Sequence, residues 1–257
     1  MQRIIISGCC GHMGRVVADI CANDPDVEVT AGIDLLGQPM DGFPVFPSPA
    51  ACTAEGDVVI DFSHPAALDG LLDFCAQRML PVVLATTGYS EEQLARIGDS
   101  ARVIPVFRSA NMSLGINVLL ELVKRAAALL GDGFDVEITE RHHSRKLDAP
   151  SGTALMLADA AAQALPYKAE YVYDRYSVRK PRDRREIGIS SLRGGTIVGD
   201  HSVVFAGRDE VIEFSHHAAS REVFAVGAVK AAKFLARVDV PGMYDMSHLI
   251  DAEKRSQ

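Results

Sequence analysis

The first hundred residues alternate between two patterns. Short β-branched apolar runs stand at 4–7, 27–33, 58–62, 82–85 and 103–107, and stretches with helical spacing start near Met13, His64 and Glu91. Strands that alternate with helices predict βαβ units, and those predict a parallel sheet covered by helices. Pro47 and Pro49 mark a loop before the third strand. Past residue 110 the rhythm changes. Apolar periodicity predicts a long helix over 114–130, and a strand follows at 136–142. A turn through Pro150 leads to an Ala-rich helix near 153–165, then a polar, basic loop over about 173–185. Strands at 187–192, 202–206 and 211–217 come in succession, and a helix at 221–235 comes late. Strands without helices between them predict an antiparallel or mixed sheet. The chain therefore reads as two domains, α/β doubly wound and then α+β. If the late helix packs on the first domain, that domain is discontinuous.

Composition narrows the class. The chain has 257 residues, 48% hydrophobic and 23% charged, which fits a folded globular protein and excludes a disordered or collagen-like one. Lys and Arg total 26 against 34 Asp and Glu, a formal charge of −8, so charge gives no case for a nucleic-acid binder. The start Met1-Gln2-Arg3-Ile4 enters a strand at once, so no secretory signal and a cytoplasmic protein are expected. No apolar run is long enough for a membrane span. The five cysteines (Cys9, Cys10, Cys21, Cys52, Cys75) are odd in number and lack C-x-x-C spacing, so neither a disulfide framework nor a metal site is expected. Six of the eleven residues from 175 to 185 are basic. With this net charge they read as a solvated loop or an oligomer-contact arm.

Two segments carry candidate chemistry. Gly8-Cys9-Cys10-Gly11-His12-Met13-Gly14 follows the first strand and opens a helix. Glycines let the backbone turn tightly and approach a pyrophosphate, and helix-start amides face the anion. A glycine run also serves as a plain tight turn; the strand before it and the helix after it favour a dinucleotide. Asp34 ends the second strand twenty residues after Gly14, where a carboxylate accepts from an adenosine ribose. No Lys or Arg occurs from 16 to 77, and Leu35 and Leu36 follow the acid. A 2′-phosphate there would meet a carboxylate without a cation, so NADH is expected over NADPH.

The second segment runs Glu140-Arg141-His142-His143-Ser144-Arg145-Lys146-Leu147-Asp148-Ala149-Pro150-Ser151-Gly152-Thr153. Histidine moves protons near neutral pH. Lys146 and Arg145 suit a carboxylate, and the Ser151-Gly152-Thr153 helix start offers an anion seat. The set reads as a pocket for an anionic substrate that needs a proton. Ser151 also fits a simple N-cap, and the His pair an exposed strand end.

On these residues the chain resembles the 4-hydroxy-tetrahydrodipicolinate reductase (dihydrodipicolinate reductase) family over nearly its whole length. The likeness rests on Gly8 through Gly14, Asp61-Phe62-Ser63, Thr86-Thr87-Gly88, Ser109-Ala110-Asn111-Met112-Ser113 and above all H-H-x-x-K-x-D-A-P-S-G-T from His142 to Thr153. It implies a Rossmann-type dinucleotide-binding domain over 1–113 plus 222–257. It also implies a mixed-sheet domain over 114–221 for substrate binding and assembly of a homotetramer. The implied reaction, in lysine and diaminopimelate biosynthesis, reduces a cyclic imine dicarboxylate with NAD(P)H and loss of water.

The resemblance also assigns roles. His142 corresponds to the catalytic proton donor and Lys146 to a second catalytic residue, acid or substrate anchor. His143, Gly152 and Thr153 correspond to substrate-carboxylate contacts. Gly8, Cys9, Cys10, Gly11, His12, Met13, Asp34, Ala85, Thr86, Thr87, Ser109, Ala110, Asn111 and Met112 correspond to cofactor contacts. Ala85 stands where the family usually has glycine, and Leu35 where some members have arginine. Cofactor and substrate on different domains imply hinge closure near Asn111-Met112-Ser113 and Arg221. Three rival readings are a non-catalytic NAD(P)H-sensing regulator, a dehydrogenase of another cyclic imine dicarboxylate, and a serine hydrolase using Ser151 with His143. A sensor has no need of the proton donor, and Ser151 lacks the G-x-S-x-G elbow. Asp61 reads as local structure.

Overall fold

The computed structural model describes residues 1–37 and 39–255. They form two compact units, Met1–Ser113 together with the chain from Glu222 onward, and Leu114–Arg221.

The first unit runs β1 (Gln2–Ser7), α1 (His12–Ala22), β2 (Val27–Ile33), β3 (Val45–Phe46), β4 (Val58–Asp61), α2 (Leu68–Arg78), β5 (Val82–Leu84), α3 (Glu91–Ser100) and β6 (Pro105–Arg108). Its sheet has the order β6-β5-β4-β1-β2-β3, with every pair parallel. Ile4, Ile5 and Ile6 are all fully buried, as expected of a parallel strand covered on both faces. Parallel strands share one carboxyl end. The segments after β1, β2, β4, β5 and β6 therefore all emerge at the same edge of the sheet. Chain order reverses around β1, between β2 and β4, which is where such sheets open a ligand crevice.

The second unit runs α4 (Leu114–Leu130), β7 (Asp135–His142), α5 (Gly152–Ala164), β8 (Glu170–Val172), β9 (Glu186–Arg193), β10 (Gly199–Ala206) and β11 (Val211–Ala218). Its sheet has the order β11-β10-β7-β9-β8 and is mixed: β10 is antiparallel to both neighbours, and β9 is parallel to β7 and β8. One core joins Leu119 and Val123 of α4, Leu157 and Ala161 of α5, and Val136, Ile138, Ile189, Val203 and Phe205 of the sheet. Alternation along β7 continues that buried face from Val136 and Ile138 to Glu140 and His142. The face starts apolar and ends in two titratable groups.

The chain then returns to the first unit through α6 (Glu222–Leu235), β12 (Gly242–Tyr244), parallel to β6, and α7 (Met246–Arg255). Gly227 of α6 lets the Met112 carbonyl oxygen pack against it; a side chain there would overlap that oxygen. The two- and three-residue strands β3, β8 and β12 carry too little periodicity to be read from sequence, whereas α7 is an unexpected element although its buried Met246, Leu249 and Ile250 recur at helical spacing. The helix expected near His64 is delayed. His64 caps a 3₁₀ turn over Pro65–Ala67 before α2 begins at Leu68. The strand expected over 103–107 runs instead over Pro105–Arg108, after a turn in which Val103 is exposed. The basic run turns back on its own unit: Arg175 pairs with Glu186 at 2.7 Å and with Glu137, and Arg182 with Asp135 at 2.8 Å. Among the described residues no helix is long and apolar enough to cross a membrane.

Candidate functional site

In the first unit the candidate site is made largely of backbone. Gly8 leaves β1 with φ of +77°, a left-handed conformation that favours glycine. Its amide donates to Ile33 at 2.8 Å and its carbonyl accepts from Gly11 at 3.1 Å, which closes the loop. Gly11 caps α1 with no side-chain hydrogen bond, and the first turn of the helix carries no acid of its own. Gly14 is buried where a Cβ would collide with the Gly8 carbonyl and lie 2.7 Å from the Cys9 Cα. Helix and strand thus sit as close as a pyrophosphate cradle requires. Arg15 lies beside the loop, its Nε donating to the Cys10 carbonyl at 3.0 Å.

Asp34 follows β2. One carboxylate oxygen accepts from the Cys10 amide at 3.0 Å and the other from the Leu36 amide at 3.0 Å. The acid is therefore held against the glycine loop, while Leu35 and Leu36 are exposed. Asp61, at the end of β4, is 1% exposed and accepts from the Thr86 hydroxyl at 2.7 Å. Asp61 thus acts as local structure, holding the neighbouring segment that presents Ala85, Thr86 and Thr87. In the next loop the Ser109 hydroxyl donates to the Asn111 carbonyl at 3.0 Å, and the Asn111 side chain accepts from the Ser113 amide at 2.8 Å. All these segments leave the carboxyl ends of neighbouring strands.

In the second unit the candidate site is a network of buried side chains. His142 Nδ1 lies 2.6 Å from a Glu140 carboxylate oxygen. Arg193 grips Glu140 with both terminal nitrogens, each at 2.7 Å. The Ser151 amide donates to the same carboxylate at 3.2 Å. Burial works to raise the pKa of Glu140, but the hydrogen bonds from Arg193 and His142 overcome it and lower the value to about 2. Glu140 is thus ionised at neutral pH and accepts, so Nδ1 of His142 donates. That leaves Nε2 as the nitrogen that exchanges its proton.

Register explains how the parts meet. His142 stands opposite Arg193 on β9, and Glu140 opposite His201 on β10. His201 lies edge-on to His142 at 5.1 Å, and its Nε2 is 3.0 Å from the Ser151 hydroxyl. Burial, with His142 adding to it, lowers His201 to about 4, so it is neutral. Ser151 also caps α5 by accepting from Ala154 at 3.2 Å.

Beyond β7 the surface turns cationic. His143 lies 3.5 Å from an Arg221 nitrogen, and burial, then Arg221 and Arg145, push its pKa down. Lys146 pairs with Asp148 at 2.9 Å. Gly152 is exposed in the first turn of α5, with Thr153 half-buried beside it. Through Glu140 and Ser151 the structure ties the α5 N-terminus to the strand that carries His142. The sequence reading named His142 and Ser151 but missed Glu140, Arg193 and His201. One signal was available: Glu140 lies two residues before His142, on the same face of a strand.

Known proteins match this arrangement over the whole chain. The family described as "Dihydrodipicolinate reductase, N-terminus" matches residues 2–112, and "Dihydrodipicolinate reductase, C-terminus" matches 115–250. A 4-hydroxy-tetrahydrodipicolinate reductase of Caldanaerobacter subterraneus subsp. tengcongensis is 56% identical over 97% of this chain and 98% of its own. One from Clostridium tetani is 47% identical over 98% of each. Among solved structures, the dipicolinate-bound dihydrodipicolinate reductase from Paenisporosarcina sp. TG-14 superposes with a TM-score of 0.79 at 26% identity, covering 95% of this chain and 97% of that one. Matched in both halves and over its full length, the chain belongs to the dihydrodipicolinate reductase family.

Proposed function

We propose that the chain reduces 4-hydroxy-2,3,4,5-tetrahydrodipicolinate to tetrahydrodipicolinate, with loss of water, in lysine and diaminopimelate biosynthesis. The observation that carries this reading is the His142–Glu140–Arg193 network beside the Ser151-Gly152-Thr153 helix start. It couples a positioned proton donor to an anion seat, as reduction of an anionic imine requires. Glu140 fixes the His142 ring through Nδ1, and His142 delivers its proton from Nε2. Glu140 and Arg193 are positioning residues. Lys146, His143 and the Gly152 and Thr153 amides hold the substrate carboxylates; Lys146 exchanges Asp148 for substrate.

Residues 8–13, Asp34, Ala85, Thr86, Thr87 and 109–112 hold the nicotinamide dinucleotide, which supplies the hydride when bound. The space kept clear by Gly14 fits such a group. We assign NADH as the preferred donor, because the carboxylate of Asp34 disfavours a 2′-phosphate; the exposed Arg15, whose Nε donates to the Cys10 carbonyl, is a nearby cation that works against this preference. Cys9, buried beside Cys10 and Asp34, has a raised pKa and stays a thiol under the dinucleotide. The same reading makes the protein a cytoplasmic homotetramer, tested by light scattering of the purified chain.

The test is loss of reduced-nicotinamide absorbance in a coupled assay that generates the unstable substrate from pyruvate and aspartate semialdehyde. NADH is expected to give the higher kcat/KM. In His142→Gln, kcat should fall by about 10²–10⁴-fold with little change in KM. A mutant that keeps most of its kcat overturns the acid assignment. A folded protein that binds NADH but oxidises none overturns the reaction.

A further inference from the structure

The cysteine spacing predicts no metal site, but the fold brings two thiols to a third donor from elsewhere in the chain. The Sγ atoms of Cys9 and Cys10 are 3.9 Å apart. A tetrahedral centre with metal–sulfur bonds of about 2.3 Å has a sulfur–sulfur edge of about 3.8 Å. A carboxylate oxygen of Asp34 lies within 4.8 Å of both sulfurs. Amides of Cys10 and Leu36 already orient that carboxylate, each at 3.0 Å. Cys9 is fully buried, Cys10 is 9% exposed and Asp34 is half-buried. Among the described residues this is the one group of three such donors that gathers closely enough to share an ion.

We infer that Cys9, Cys10 and Asp34 form a three-ligand site for a thiophilic divalent cation, and that cation and dinucleotide exclude each other. Two thiolates with one carboxylate suit Zn²⁺ or Cd²⁺ rather than Mg²⁺ or Ca²⁺, which take oxygen ligands throughout. Binding is an exchange. Each thiol loses its S–H proton to solvent, two metal–sulfur bonds form, the carboxylate gives one oxygen and a water completes the tetrahedron. Nothing is oxidised or reduced. The exclusion rests on the proposed dinucleotide role of the loop and Asp34; the cation site does not. A cation on Asp34 removes the carboxylate offered to the ribose and puts positive charge and a bound water at the pyrophosphate turn. The loop would then act as a metal-sensitive gate on the cofactor.

The experiment titrates the full-length apo protein with CdCl₂ and with ZnCl₂, reading heat and, for cadmium, the ultraviolet thiolate-to-metal charge-transfer band. It is repeated in saturating NADH, with NADH binding measured separately by its fluorescence. The site predicts one ion per chain with a thiolate band. It also predicts affinity reduced at least about tenfold in Cys10→Ser and in Asp34→Asn, since losing a ligand costs no less than losing an outer-shell partner. Circular dichroism checks that each variant folds, and either one alone suffices. Absence of the band, or unchanged affinity in a folded variant, overturns the site. Metal affinity that does not fall in bound NADH overturns the exclusion. Metal binding with no NADH binding at all sinks the dinucleotide reading and leaves the cation site standing.

Discussion

The two candidate regions of this molecule are built by opposite means. In the first unit the glycine loop after β1 presents backbone: amides, a left-handed glycine, and a helix brought close because Gly14 has no side chain. Its neighbours are whatever leaves the carboxyl ends of adjacent parallel strands. In the second unit the end of β7 presents side chains. Glu140 and His142 extend a face that begins as hydrophobic core, and they are held there by Arg193, Ser151 and His201 from three other segments. A backbone site tolerates changed side chains but not an added Cβ. A buried side-chain network tolerates an added methyl at its rim but not the loss of a partner.

That contrast can be broken most directly at Arg193. Arg193→Met leaves the fully buried Glu140 carboxylate without its counter-ion, and breaking such a pair costs about 3–5 kcal/mol. Urea unfolding should show the loss. Glu140→Gln in the same chain should recover much of it, because the stranded charge is gone.

Acid attacks the same point. Glu140 titrates at about 2 in the fold against an ordinary 4.5. A carboxylate with a depressed folded pKa stabilises above its unfolded pKa and loses that contribution as pH falls toward the folded one. On the order of 3 kcal/mol should therefore be present above about pH 4.5 and disappear as pH approaches 2. The Arg193→Met/Glu140→Gln double variant should lack this part of the acid sensitivity. An identical acid profile in that variant would remove Glu140 as its source.

In the first unit the equivalent probe is Gly14→Ala. Helix propensity alone favours alanine by about 1 kcal/mol. The collision with the Gly8 carbonyl should reverse the sign, to a net loss of about 2 kcal/mol and weaker NADH binding. A variant that unfolds like wild type would show that the loop yields easily. Gly152→Ala is the control with the smallest effect. A Cβ there meets nothing within 4 Å, so thermal unfolding should show no loss and at most a gain of about 1 kcal/mol from helix propensity.

Much of this was legible before any coordinates. The alternation of β-branched runs with helical periods predicted parallel strands where β1, β2, β4 and β5 lie, and the helix expected over 114–130 matches α4 residue for residue. The Gly8–Gly14 spacing and Asp34 work over short chain distances, so local pattern contains them. Arg193 did not stand out, because it acts on a carboxylate 53 residues away and only the register of β9 on β7 brings them together. His201 stayed hidden for the same reason, on β10. Arg15 stands just before the cation-free stretch 16–77, and only the fold shows that its side chain reaches back over the loop to the Cys10 carbonyl.

By itself, then, the sequence determined which residues could bend, which could move a proton and which strands had to be buried. Those properties belong to single residues and to the strand and helix periods of about 2 and 3.6 residues. Tertiary structure alone decided which charge neutralises which, which histidine nitrogen keeps its proton, and that Asp34 stands beside two thiols. Each of these depends on groups far apart in the chain meeting at hydrogen-bond distance. Strand register sets that distance inside the second unit, and the shared carboxyl edge of the parallel sheet sets it in the first.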